Sequence, residues 1–232
     1  MALIKYGGGV VQMSGSIAGN TFARNRYGNY SRARTKPINP NTARQQAVRA
    51  ALAFLTERWA NGITAANRTA WNLYASSVSM KNRLGEAIYL TGFNHFIRSN
   101  TNLWIQNGTL QAAGPTVFEL PEKDGTFAVT AAETGQVITI NASAAMAWAN
   151  EDNAFMYIFQ GQPQNAQRNF FDGPWKRGGF FAGSSVAPPG FPLPVTAQWP
   201  IADGQHIWVY ARIIRADGRL SEVFRADCFC AA

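Results

Sequence analysis

Near Pro115 the spacing of apolar residues changes from steps of three and four to steps of two, and no single element type satisfies both periods. Upstream, Val48, Ala51, Leu52, Leu55 and Trp59 recur at helical intervals. Downstream, alternation predicts strands over 116–120, 126–131, 136–142, 154–160, 179–182, 207–215 and 220–229. Asp124-Gly125 and Asp217-Gly218 suit hairpin turns, and the Pro-rich run 186–195 is expected to be an exposed loop. Short strands punctuated by turns predict an immunoglobulin- or fibronectin-like β-sandwich over residues 111–232.

Residues 37–110 predict a small helical unit. Asn39 before Pro40 is a helix-start signal, with Thr42 a second candidate cap, and the helix is expected to reach about Ala60 before Gly62. Thr64 caps a second helix with Trp71, Tyr74, Ala75 and Val78 on one face. After a looser stretch, 79–90, Thr91 caps a third, carrying Phe93, Phe96, Ile97 and Trp104. The short gap after Trp59 predicts that the first two helices form an antiparallel pair. Such a unit is small for an independent core, so contacts between copies are expected to help it.

Residues 1–36 read as a basic β-ribbon arm. Val10, Val11, Met13, Ile17 and Phe22 are expected to pin a three-stranded meander turning at 14–16 and at Gly28-Asn29. That turn places Tyr27 opposite Tyr30, Asn25 opposite Arg32 and Ala23 opposite Arg34. Phe22, Arg24, Arg26 and Ala33 then share one face, and Tyr27, Tyr30, Arg32, Arg34 and Lys36 the other. Both faces carry positive charge and neither is cleanly apolar, so the ribbon is expected to stay mobile until something covers it.

Charge follows the same division. Residues 1–110 hold thirteen Lys/Arg against two acids, a net +11, whereas residues 111–232 hold eight against eleven, a net −3. The basic half suits nucleic acid or an acidic protein surface. No apolar run approaches the ~20 residues of a membrane span, and no secretory leader is seen, so a soluble protein made in the cytoplasm is expected.

Catalytic readings find little to stand on. The two histidines, His95 and His206, lie in different modules without ligand-spaced neighbours, and Cys228 and Cys230 lack the C-x-x-C spacing of a redox pair. Neither a phosphate-binding loop nor a nucleophile elbow occurs. The expectation is a protein without enzymatic activity, metal or cofactor.

What remains is the basic cluster. Arg24, Arg26, Tyr27, Tyr30, Arg32, Arg34 and Lys36, with Arg44 and Arg49 on the first helix, form the candidate partner-binding set. Arginines with interleaved tyrosines suit phosphate neutralisation and base stacking, and equally suit bidentate pairing with carboxylates. No nucleic-acid motif surrounds them, so protein partners are favoured over nucleic acid.

The tandem of Arg-rich ribbon, KPINPNT joint and QQAVR helix, then FLTERW, TAANRTAWNLYA and LTGFNHFIRSN, resembles proteins of tailed-bacteriophage and prophage structural regions. The resemblance covers about residues 10–100 and implies a virion component, with the second half similar in style to immunoglobulin-like domains displayed on capsids and tails. A capsid decoration or cement subunit is the expectation, docking on major capsid or tail subunits and forming homo-oligomers. A tail, neck or adaptor component and a DNA-binding protein are the alternatives.

Overall fold

A computed structural model describes residues 2–36, 38–82 and 84–232 as a mixed α+β protein. Pro37, the first proline of the KPINPNT joint, lies outside the described residues. Four short strands come first: β1 (Ala2–Ile4), β2 (Gly15–Ile17), β3 (Asn20–Asn25) and β4 (Gly28–Ala33), in the sheet order β1-β4-β3-β2. The expected three-stranded meander thus gains a strand from the extreme N-terminus. Of its expected pins, Met13 and Phe22 are half-buried, but Val10, Val11 and Ile17 are exposed, Val11 by 91%. Gly15 and Ser16, expected in a turn, lie in β2, and the chain reverses at Ala18-Gly19.

The central hairpin also turns earlier than expected. Asn25 pairs with Gly28, Ala23 with Tyr30 and Thr21 with Arg32, so the loop is Arg26-Tyr27. Asn25 Oδ1 accepts the Tyr27 N–H at 2.9 Å, and Gly28 supplies the positive φ of 123° that a side chain would resist. Each opposed pair moves by an even number of places. Side-chain parity is therefore preserved, and Arg24 and Arg32 still occupy opposite faces.

Three helices follow: α1 (Ala43–Glu57), continued by a π-helical turn (Arg58–Gly62), α2 (Ala65–Ser77) and α3 (Gly92–Asn107). Thr42 rather than Asn39 caps α1, because Gln45 three residues on completes a reciprocal capping box. Thr64 and Thr91 cap α2 and α3. The loose stretch before α3 holds a small hairpin, β5 (Ser79–Lys81) with β6 (Ala87–Tyr89).

Helix α3 packs against both α1 and α2, instead of α1 pairing chiefly with α2 as expected. Leu55, Ile63, Trp71, Tyr74, Val78 and Phe96 form the shared core. Of the α1 stripe, Ala51 and Leu55 are buried, but Val48 and Leu52 face outward. Leu110, Ala112 and Leu120 pack on the same core, so the segment around 110–120, placed with the β module by sequence, completes the helical one. Buried Asn100 staples it there: its Oδ1 accepts Gln111 N–H at 2.7 Å, and its Nδ2 donates to Gln111 O at 3.1 Å. That packing explains why 116–120 is not a strand.

The β-rich part contains β7 (Ala128–Ala132), β8 (Val137–Asn141), β9 (Phe155–Gly161), β10 (Trp175–Ala182), β11 (Leu193–Thr196), β12 (His206–Ile214) and β13 (Phe224–Ala231). They form one hydrogen-bonded order, β10-β9-β12-β13-β7-β8-β11, and its two edge strands approach each other. The sheet is nearly barrel-like. β13 and β7 meet only through a two-residue parallel pairing, Cys230 with Ala131 and Ala231 with Ala132. Most of the Pro-rich run is loop, yet its end enters edge strand β11, where exposed Pro194 is tolerated. The core lies between inward-facing rows such as Val129, Ile138, Ile140, Met156, Ile158 and Val209.

Candidate partner-binding surface

The nine sequence-predicted residues fall into two groups. Arg24, Arg26, Arg32, Arg34 and Lys36 are exposed on the four-stranded ribbon or just beyond it, and Tyr27 and Tyr30 are half-buried. Arg32 shares a face with Thr21 and Tyr30, Arg24 with Phe22 and Ser31, and Arg26 is in the turn. The sheet has no interior: Leu3, Ala23 and Tyr30 make only a half-buried row on one side.

Among the described residues, a hydrogen bond and an ion pair tie this sheet to the rest of the chain. Asn94 Nδ2, in the first turn of α3, donates to the Tyr27 hydroxyl at 2.7 Å. Lys5 pairs with Glu86 in the β5–β6 hairpin, both side chains being substantially exposed. The Lys5 ammonium holds the Glu86 carboxyl below its ordinary value, with Asn82 assisting, while screening by water keeps the pair energetically modest.

Arg44 and Arg49 do not join the ribbon, contrary to the single cluster the sequence suggested. Arg49 is used within the chain, donating to Asn39 Oδ1 at 2.7 Å and Asn41 Oδ1 at 3.3 Å, so it fixes the Pro/Asn joint before α1. Arg44 lies within electrostatic reach of Arg177 and Tyr210 on the outer face of the large sheet.

Helix α3 and that outer face meet directly. Leu103 packs with Tyr157, Ile214 and Leu220. Arg98 Nη1 and Nη2 donate to the carbonyls of Leu220 and Ser221, each at 2.7 Å. Burial lowers the Arg98 pKa to about 10, with Arg212 adding to the depression. The docking site is an irregular segment between Leu220, which bridges to Ile214, and the start of β13; sequence alternation read this as continuous strand. Arg98 was missed because its partners are backbone carbonyls, which leave no sequence mark.

Compared with known protein families, curated proteins and solved structures, the chain matches none.

The remaining chemistry-bearing residues sit in structural surroundings. His95 is fully buried, its ring 5.0 Å from Tyr74 and both nitrogens without a hydrogen-bond partner among the described residues. His206 bridges the Arg168 carbonyl at 2.9 Å and Asp227 Oδ2 at 2.7 Å, tying the loop after β9 to β13. Cys228 and Cys230 are free, and burial pushes the Cys228 thiol up to about 11. Among the described residues no three of His, Cys, Asp and Glu are grouped to hold a metal, and no helix is long and apolar enough to cross a membrane.

Proposed function

We propose that the protein is a non-catalytic structural component of a tailed-phage particle, a capsid decoration or cement subunit that docks through its basic ribbon. The observation that carries this reading is the ribbon itself: five exposed cations on or just beyond a thin sheet without a buried hydrophobic residue, tied down among the described residues by a neutral hydrogen bond and a solvent-screened ion pair. A surface built that way gains little from its own chain, and its exposed guanidinium forks match carboxylates on an acidic neighbour. Docking at many equivalent positions adds weak contacts into firm attachment.

We further propose that the β-rich part is immunoglobulin-like and projects from the docked portion. Supporting this, β7, β8 and β11 pair on one side and β10, β9, β12 and β13 on the other, and the ladder between the two groups is the short parallel pairing of β13 with β7. Immunoglobulin-type sandwiches divide their strands between two sheets in a related order.

The deciding experiment replaces Arg24, Arg26, Arg32 and Arg34 together by Ala. The variant should keep a near-native melting temperature and lose binding to purified particles lacking this protein. Unchanged particle binding would sink the docking reading. Steeply salt-dependent binding of the native protein to DNA, abolished in the variant, would move the ribbon to nucleic acid instead.

A further inference from the structure

Away from the ribbon, four arginines from four different elements form two neighbouring pairs where α3 lies against the large sheet, Arg44 with Arg177 and Arg98 with Arg212. Register places two of them. Arg212 on β12 is opposite Tyr157 on β9, and Arg177 on β10 is opposite Phe159, two residues further along the same strand. The two arginines therefore flank β9 on the face turned away from the core, with Cα atoms about 12 Å apart from ordinary strand spacings. Two long side chains on one face span that gap readily. From the helical side, Arg44 stands near Arg177, and Arg98 stands near Arg212.

The one carboxylate that acts on this cluster among the described residues, Glu222, is shared with Lys123, 2.7 Å away. None of the four arginines is in an ion pair among the described residues. The other groups of complementary sense are the phenols Tyr157 and Tyr210. Burial raises the pKa of both, so they are neutral near pH 7 and can act as donors.

Donors are also left unused. Arg212 Nε, Arg177 Nη1 and the Tyr157 hydroxyl are shielded from solvent and have no hydrogen-bond partner among the described residues. Native proteins rarely leave such atoms orphaned, and an unseen ion is one of the few physical explanations for several together. Repulsion among the guanidinium groups is relieved by the same remedy.

We propose that Arg177 and Arg212, with the Tyr157 hydroxyl on the strand between them, form a binding site for a small tetrahedral oxyanion of the phosphate or sulfate class, with Arg44 and Arg98 adding positive potential beside it. Planar guanidinium forks approaching from two sides suit a tetrahedral acceptor, and the phenol adds a neutral donor. This site is independent of the docking role of the ribbon.

The test is thermal unfolding of the full-length chain against inorganic phosphate, with sodium chloride and sodium acetate at matched ionic strength. Phosphate should raise the melting temperature, by about 3 °C at tenfold its dissociation constant and by about as much again for each further tenfold. Arg212→Met should melt higher than the native protein without phosphate, because an unpaired buried charge is gone, and should lose the phosphate response. Arg177→Met should lose the response as well. Identical curves for phosphate and chloride would overturn the site, as would a phosphate response surviving in both variants. An acetate response equal to that of phosphate would overturn the tetrahedral assignment.

Discussion

The Tyr27 hydroxyl sits 2.7 Å from Asn94 Nδ2, across 67 residues of sequence, and joins the tip of the basic hairpin to the first turn of α3. A turn residue that the sequence offered as a stacking platform is therefore also a tether. Tyr27→Phe keeps the ring and removes the bond, a loss of about 1 kcal/mol. Amide exchange in β3 and β4 should accelerate about fivefold while α3 keeps its native protection. Unchanged exchange in the ribbon would mean that the bond restrains nothing.

Arg98 occupies a more critical position. Its guanidinium satisfies two carbonyls that the irregular chain after Leu220 cannot pair for itself. Arg98→Ala should cost about 3 kcal/mol in denaturant unfolding, because the carbonyls lose charged donors in a partly desolvated place. A loss below about 1 kcal/mol would show that water replaces the arginine.

Acid should reach the helical unit through His95. Burial, with the Arg98 charge assisting, lowers its pKa to about 4, against an ordinary value of 6.5. The folded state holds the ring neutral while the unfolded chain protonates it. Stability from this group is complete above pH 6.5, falls as pH drops from there and levels off below about 4. The loss amounts to about 3 kcal/mol. His95→Phe should flatten this part of the stability profile; an unaltered profile would assign the acid sensitivity elsewhere.

Asn100 gives a fourth test. Replacing it by Ala orphans both the N–H and the carbonyl of Gln111 beneath α3. A cost of about 2–3 kcal/mol is expected, with early proteolysis in the 108–114 segment. If that segment stays resistant, Trp71, whose Nε1 donates to Ala112 O at 3.0 Å, holds it alone.

Where local chemistry decides, the sequence was legible. Thr64 and Thr91 cap their helices as expected, Trp71, Tyr74, Ala75 and Val78 are all buried, and β8 and β12 lie within a residue or so of the alternating runs. Where competing signals were close in strength, the stronger local bond won. Thr42 displaced Asn39 through Gln45, and Gly28 closed the hairpin from outside the loop instead of within it. The arginine cluster was illegible, since Arg44, Arg98, Arg177 and Arg212 lie in four separated segments. Only the packing of α3, through Leu103, on the face of β9 and β12 that carries Tyr157 and Ile214 brings the helical arginines near the sheet. Arg212 did leave a trace, a charge in the row His206, Trp208, Tyr210 that alternation aims away from the core.

The two-residue seam between β7 and β13 has a kinetic side. Its partners, Ala131 and Cys230, are about a hundred residues apart, and Arg98 finds Ser221 across 123. Contacts of that separation form slowly, because a long loop must close before anything rewards it. The helices can gain local order early, but α3 finds its second partner only once the last hairpin is in place. Helical unit and β-rich part should therefore melt in a single cooperative transition, with only the ribbon free to come away first.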